Sequence, residues 1–231
     1  MTPSARPAAA RRPIGVTLIA VLLCAGLTWL GLWQVQRLAW KQDLIASIAA
    51  RVHAPPVPAP RASDAEYLRV TASGHFRHDA TTLVRASTVR GPGYWVMTPL
   101  ATDRGFTIIV NRGFIPAAGA RYARPGGGVR VTGLLRLTEP EGGFLRANDP
   151  VAGKWYSRDV AALARARGLE DVTPYFIDAQ AGADPLLIGG LTVLAFPNNH
   201  LVYALTWFAL AAMVAGATAM LWRQEWIARR P

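Results

Sequence analysis

Histidines and their polar neighbours are the groups in this chain best suited to holding a metal or moving a proton. His75 and His78 lie three residues apart, with Asp79 beside the second. In an extended segment that spacing directs the two imidazoles to opposite faces, and no third ligand follows nearby. We therefore expect solvated histidines here and not a metal site.

Ser73, Ser87 and Ser157 lie outside any Gly-x-Ser-x-Gly elbow, so no sequence motif supports a serine hydrolase.

His200 has a more informative setting. It follows Pro197-Asn198-Asn199, in which either asparagine can cap a helix that begins at the histidine. Helical spacing then places Tyr203, Ala204, Trp207 and Ala211 on the side of His200. A neutral imidazole above aromatic surface and methyl-sized gaps could hold a flat hydrophobic ring. The alternative is an interfacial histidine with Tyr203 and Trp207 as ordinary belt residues.

A second polar group stands where another apolar segment ends. Gln34, Arg37 and Lys41 fall on one face at a period of 3.6 residues, with Trp29, Trp33 and Trp40 around them. The guanidinium of Arg37 suits bidentate binding of a carboxylate, such as a haem propionate, at a membrane edge. The alternative is snorkelling of these cations to lipid phosphate.

Two apolar segments position these groups. Ile14 to Trp33 and Leu201 to Trp222 contain no charged side chain, and each is long enough to cross about 30 Å of hydrocarbon. Arg6, Arg11 and Arg12 precede the first segment, and Arg223, Arg229 and Arg230 follow the second. The positive-inside rule therefore places both termini in the cytoplasm. Ala212 and Gly216 form a small-x-x-x-small pair, and Ala211, Ala215 and Ala219 extend this low-profile surface. The pattern predicts that the two spans pack through it, around Ala20 and Cys24 of the first span.

The residues between the spans predict a separate domain. Short β-branched and aromatic segments at 67–73, 81–88, 94–100, 106–114 and 129–137 are separated by turn signals, which is typical of antiparallel strands. One soluble helix is expected at 159–167. The predicted fold class is a membrane protein in which two transmembrane α-helices flank a β-dominated α+β extramembrane domain.

The predicted domain organisation has six parts. They are a cytoplasmic basic tail at 1–13, a first transmembrane helix at 14–33 with a helical extension to about 51, a Pro-rich spacer at 52–63, an extracytoplasmic α+β domain at 64–198, a second transmembrane helix at 199–222 and a cytoplasmic basic tail at 223–231.

Composition narrows the chemistry further. The chain carries a formal net charge of +11, and only two of its 25 basic residues are lysines, so the basic excess alone does not identify a partner. We predict contact with membrane lipid and no nucleic-acid partner. Cys24 is the sole cysteine, which excludes an intramolecular disulfide, a Cys-rich zinc site and covalent attachment of a c-type haem.

The motifs at both membrane edges resemble those of the surfeit-locus family of cytochrome c oxidase assembly factors. The similar segments are 31–41 (GLWQVQRLAWK) and 198–208 (NNHLVYALTWF), with 93–100 (GYWVMTPL), 110–116 (VNRGFIP) and 131–136 (VTGLLR) between them. The resemblance covers roughly residues 14–222.

This resemblance implies a non-enzymatic factor that assists maturation of the haem-copper centre in the catalytic subunit of the oxidase. It also implies binding of haem a, with His200 at the position of the family's proposed iron ligand, and a chaperone role in respiratory-chain biogenesis. With Arg37, Tyr203 and Trp207, His200 forms the expected haem site, and haem a synthesis machinery is a further expected partner.

The composition favours a bacterial member of the family, located in the inner membrane with its main domain in the periplasm. Two alternatives remain open at this stage: a haem-independent scaffold for oxidase assembly, and a membrane-anchored extracytoplasmic hydrolase.

Overall fold

The computed structural model describes residues 14–140, 142–143, 146–181, 186–192 and 196–230. The predicted N-terminal tail at 1–13 therefore lies outside the described residues. The chain divides into two units, one formed by the segments up to residue 46 and from residue 195, the other by residues 47–194. Each unit is described by itself.

The first unit contains two long apolar helices. Helix α1 spans Ile14–His53 and helix α3 spans His200–Ala228. Among the described residues, these two helices alone are long and apolar enough to cross a membrane. Leu18, Leu22, Leu205 and Met213 are exposed, as expected for side chains that face lipid. The protein is thus built as a two-span membrane protein.

The two helices pack antiparallel through a narrow face. At one end Trp222 Nε1 donates to Thr17 Oγ1 over 2.9 Å, and near the middle Cys24 Sγ lies 3.5 Å from the carbonyl oxygen of Ala211. The less exposed residues recur at alternating steps of three and four on each helix: Thr17, Ala20, Cys24, Leu27, Gly31 and Gln34 on α1, and His200, Ala204, Trp207, Ala211, Val214 and Thr218 on α3. This 3.5-residue period is that of left-handed coiled coils.

The structure corrects the predicted packing face of α3. Ala212 is exposed, and a Cβ on Gly216 would meet no atom within 4 Å. Ala215 and Ala219 are exposed as well. Of the predicted surface on α3, Ala211 does lie in the contact, together with Ala204, and Ala20 and Cys24 form the partner surface on α1. Small residues occur all around α3, so their spacing alone could not select one face.

The second unit is a small β-barrel. Its strands are β1 (Val57–Pro58), β2 (Arg69–Phe76), β3 (Thr82–Thr88), β4 (Gly91–Thr102), β5 (Thr107–Ile115), β6 (Val129–Leu137) and β7 (Val172–Ala179). Among the described residues they form one sheet in the order β1-β2-β6-β7-β5-β4-β3, and an additional β2–β4 pairing closes it. The β5–β7 and β1–β2 pairs are parallel, and the other pairs are antiparallel. Closure therefore leaves β1 and β3 as outer strands.

Glycine allows the barrel to close. A Cβ on Gly74 would lie 2.1 Å from the carbonyl oxygen of Ala101, where β2 meets the end of β4. Any other residue would separate the two strands at this junction. Alternate side chains of the strands fill one core: Val70, Leu100, Ile108, Leu135, Tyr175 and Ile177 are all fully buried.

One short helix covers part of the barrel's outer face. Helix α2 spans Val160–Ala166, and the side chain of Asp159 caps it by accepting a hydrogen bond from Ala162 N over 3.0 Å. Val160 and Leu163 pack on Trp155 and Phe176. The barrel therefore carries apolar side chains on both surfaces of its sheet.

Candidate functional site at one end of the membrane helices

His200 is the first residue of α3. Asn199 precedes it as the N-cap, its carbonyl accepting from Tyr203 N over 3.2 Å, but its side chain makes no capping bond. The imidazole is half-buried and lies in the face of α3 that contacts α1. The sequence therefore places a histidine at the helix start, and the packing of the two helices fixes its surroundings.

The imidazole of His200 is held by Gln34 of α1. His200 Nδ1 lies 2.7 Å from Gln34 Oε1, and Gln34 is itself buried. A carboxamide oxygen can only accept, so Nδ1 carries a proton in this contact, and in the neutral ring Nε2 is then the nitrogen with the lone pair. This is the tautomer of a metal-binding histidine whose orientation is fixed by a second residue. Sequence analysis identified Gln34 as a polar residue at the membrane edge but not as the partner of His200.

Aromatic residues extend the site along α3. Tyr203 is 54% exposed, whereas Trp207 is half-buried in the contact face together with Ala204. Among the described residues, Trp207 Nε1 and Asn198 Oδ1 are buried without a hydrogen-bond partner. A buried indole N–H without a partner is unusual and gives this region an unused donor. The predicted residues thus lie on two sides of α3, with His200 and Trp207 inward and Tyr203 outward.

The cations of α1 also divide between two faces. Arg37 is exposed, and its guanidinium lies 4.4 Å from the ring centroid of Trp40. Lys41 is less exposed, with its Nζ 5.7 Å from the ring centroid of Phe196. Both contacts are cation–π interactions, which fix the charged groups at the end of the apolar region. Arg37 therefore stands one turn from Gln34 but outside the contact face.

The other histidines do not assemble a metal site. His78 Nε2 lies 3.0 Å from the carbonyl oxygen of Pro125, and His75 is exposed. No group of three His, Cys, Asp or Glu side chains within metal-binding reach occurs in the described part of the chain.

The barrel contains a buried ion cluster that the sequence patterns did not predict. Asp178 accepts hydrogen bonds at Oδ1 from Asn111 (2.8 Å) and Arg158 (3.2 Å), and at Oδ2 from Arg136 (3.2 Å) and Thr192 (3.0 Å). A carboxylate offers about four lone-pair positions, so these four partners fill its acceptor capacity. Asp178 is consequently a structural anion and not an available general base.

Two further carboxylates complete this cluster. Arg136 Nε donates to Glu66 over 2.9 Å, and Arg158 Nε donates to Glu139 over 3.0 Å. Burial would raise the pKa of Glu139, but the hydrogen bonds and charge of Arg158 outweigh burial and lower the pKa below its ordinary value. Burial would lower the pKa of Arg136, but Asp178 and Glu66 raise it. Both shifts favour the charged forms of Glu139 and Arg136.

The fold and the helix-end site define a two-span membrane protein with a β-barrel extramembrane domain, and comparison with known proteins identifies its family. The model of the SURF1 family matches residues 21–212. Surfeit locus protein 1 of Mus musculus is 37% identical, covering 87% of this chain and 72% of the mouse protein. Surfeit locus protein 1 of Homo sapiens is 36% identical, covering 87% of this chain and 74% of the human protein. A SURF1-like protein of Monosiga brevicollis is 32% identical, covering 97% of this chain and 94% of the Monosiga protein.

The chain belongs to the SURF1 family. The matched residues include Gln34, Arg37, His200, Tyr203 and Trp207. The resemblance seen in the membrane-edge motifs is therefore confirmed over most of the chain.

Proposed function

We propose that this protein is an assembly factor for cytochrome c oxidase that binds haem a through His200 and passes it to the catalytic subunit. Family membership supports the assembly role. The observation that supports haem binding is the hydrogen bond between His200 Nδ1 and Gln34 Oε1. This bond orients the imidazole and leaves Nε2 available to bind iron.

The neighbouring residues suit a flat, anionic cargo. Trp207 provides aromatic surface on the inward face that His200 shares, and Tyr203 provides it on the outward face one turn from His200. Trp207 Nε1 offers a donor without a partner in the described structure. Arg37 lies within the same segment of α1 as Gln34 and is exposed, which suits pairing with a propionate. The haem would supply the iron centre that the oxidase uses, while this chain's residues bind and orient it.

A single imidazole ligand on an exposed helix end suits transfer. His200 would hold the cargo, and no second ligand among the described residues would have to be displaced when the catalytic subunit takes it. We therefore propose a non-enzymatic, chaperone-like role, with haem a synthesis machinery as a supplier. We also propose a bacterial inner-membrane location, with both termini cytoplasmic and the barrel domain periplasmic.

The test is coexpression with the haem a synthesis enzymes, followed by purification, an optical spectrum and extraction of the pigment. His200→Ala should abolish or reshape the Soret band, because it removes the imidazole that would bind the iron. Arg37→Ala should keep the band but weaken haem retention, since it removes a charge-assisted contact of about 1.5–3 kcal/mol. His75→Ala, which alters an exposed histidine of the barrel, is the matched control and should bind haem normally.

Correct insertion of each variant must be established first by its yield from membranes. A well-inserted His200→Ala protein with wild-type haem content and spectrum would contradict the ligand role. Oxidase assembly by that same variant would then favour a haem-independent scaffold.

A further inference from the structure

A half-enclosed cavity opens on the barrel domain, beside the loop that joins β5 to β6. Its volume is about 510 Å³. Cavities of roughly 300–1,000 Å³ are the usual size for small-molecule sites. The residues that characterise its wall are Phe76, Arg112, Arg124, Arg130, Gln180 and Leu187.

The charged residues that line this cavity are all basic. Three arginines line it, and none of the described residues along its wall is acidic. Arg124 and Arg130 are exposed, whereas Arg112 is 9% exposed. Guanidinium groups gathered in a concave site attract an anion, and their planar forks suit a carboxylate or a phosphate.

The buried arginine is fixed before any ligand arrives. Arg112 Nη2 donates to the carbonyl oxygen of Ala123 over 2.7 Å. Its guanidinium lies 4.8 Å from the ring centroid of Phe76 and 5.6 Å from that of Tyr122. A cation held by one hydrogen bond and two rings loses little conformational freedom when it binds an anion.

Gln180 adds an uncharged polar group to the cavity wall. Arg69 Nη2 donates to Gln180 Oε1 over 3.3 Å, which leaves the amide nitrogen of Gln180 as a donor. Among the described residues, Arg69 Nε is buried without a hydrogen-bond partner. Apart from Thr132, the rest of the wall is apolar and includes Val129, Val131 and Leu187.

From this arrangement we infer that the barrel domain has a binding site for a small amphipathic organic anion, with an acidic head on the arginines and an apolar body against Phe76 and Leu187. A carboxylate and a phosphate share the required head chemistry. The site belongs to the barrel unit alone, so it is independent of the haem proposal.

Calorimetric titration of the full-length protein in lipid nanodiscs tests this inference, with empty nanodiscs subtracted. The protein is prepared from cells without haem a synthesis, so that failure of haem binding cannot affect the result. The probes are 2-naphthoate, 1-naphthyl phosphate, the neutral 2-naphthamide and inorganic phosphate. At least one naphthyl anion should bind tenfold or more tightly than both 2-naphthamide and inorganic phosphate, and the better anion identifies the head group.

Three variants locate the site. Arg124→Gln and Arg130→Gln remove exposed charges and should each weaken anion binding three- to tenfold, while Arg112→Gln should weaken it more. Arg121→Gln, an exposed arginine of the same loop outside the cavity wall, is the matched control and should bind as the unaltered protein does. Equal binding of 2-naphthamide and the anions, or equal affinities for Arg124→Gln, Arg130→Gln and Arg121→Gln, would overturn the inference. Arg124→Gln and Arg130→Gln keep the test decisive should Arg112→Gln fail to fold.

Discussion

Gln34 and His200 are 166 residues apart in the chain, yet their side chains form a 2.7 Å hydrogen bond between the two membrane helices. This bond determines which imidazole nitrogen carries the proton. It also joins the first residue of α3 to the middle of α1, at the level where both helices leave their most apolar segments.

We predict that changing Gln34 alters the haem without removing it. Gln34→Glu should lower the midpoint potential of bound haem, because a carboxylate on Nδ1–H makes the imidazole more basic and favours ferric iron. Gln34→Leu should lower haem affinity by about 10–100-fold, the usual effect of losing such a partner. Redox titration and haem quantification measure both effects. Gln36→Leu, an exposed neighbour, should leave both unchanged, and equal behaviour of the two Leu variants would contradict the role of Gln34.

The contact between the helices predicts different outcomes at two glycines. A Cβ on Gly31 would lie 2.5 Å from the ring of Phe208, whereas one on Gly216 would meet nothing within 4 Å. Gly31→Leu should therefore separate the helices, and Gly216→Leu should not. The labelling rate of Cys24 by a maleimide reports this, because its thiol packs against α3. Faster labelling of Gly216→Leu than of Gly31→Leu would restore the face proposed from sequence.

The Asp178 cluster should contribute strongly to stability of the barrel domain. Asp178→Asn leaves Arg136 and Arg158 without their shared buried counter-ion, which should lower the free energy of unfolding by about 3–5 kcal/mol. Asp171→Asn is the control, because it breaks an exposed ion pair with Arg61 and should cost at most about 1 kcal/mol. Urea denaturation followed by circular dichroism measures both values. A loss for Asp178→Asn no larger than the control's would show that the cluster is neutral for stability.

Tyr175 should make the barrel domain sensitive to alkali. Burial of its side chain, only partly offset by the charge of Arg104, raises the pKa of Tyr175 from 10.0 to about 12. The folded protein therefore favours the neutral phenol more strongly than the unfolded chain does. The stability that this preference contributes is complete below pH 10 and is lost as the pH rises toward 12. The loss should reach about 3 kcal/mol, since one pKa unit corresponds to about 1.4 kcal/mol.

Comparison with Tyr175→Phe isolates this effect. The variant loses the hydrogen bond that the Tyr175 hydroxyl donates to the carbonyl oxygen of Pro60, which lowers its stability by a constant amount below pH 10, where the phenol is neutral. Its free energy of unfolding should then fall less steeply above pH 10 than that of the unaltered protein. Parallel pH profiles would show that Tyr175 does not contribute to the alkaline limit.

The arginines that flank the spans predict the orientation of the protein in its membrane. Arg6, Arg11 and Arg12 before α1 and Arg223, Arg229 and Arg230 near the other terminus should keep both ends in the cytoplasm. An alkaline phosphatase fusion near Pro58 should be active, and a fluorescent protein at the C-terminus should fluoresce. An inactive fusion at Pro58 or a dark C-terminal fusion would contradict the two-span orientation.

Sequence patterns predicted the local elements better than their partners. The strand predicted at 129–137 has the observed bounds of β6, and the absence of Gly or Pro after residue 33 indicated the extension of α1, which ends at His53. Strand β7 was not predicted, because Pro174 interrupts it and its residues 175–178 are all buried, without alternation. Its parallel partner β5 lies more than 50 residues earlier, beyond the reach of local periodicity.

In the candidate site, too, individual residues could be predicted from sequence more readily than their contacts. His200 and the membrane-edge cations could be identified by residue type and position, since each stands at the end of an apolar segment. The Gln34 contact, the exposed position of Arg37 and the Asp178 cluster depend on pairings between distant segments. No single segment carries a signal for them, although polar residues within otherwise apolar strands, such as Asn111 and Asp178, marked sites that required partners.

The late position of β7 constrains how the protein is made. This strand separates β5 from β6 in the barrel, so the barrel cannot close until synthesis has passed Ala179. A chain that ends before Val172 exposes one edge of each of these two strands and leaves Arg136 without Asp178. Unpaired strand edges promote aggregation. Premature termination in this region should therefore yield an aggregating fragment that quality-control proteases remove, and not a domain that retains partial activity.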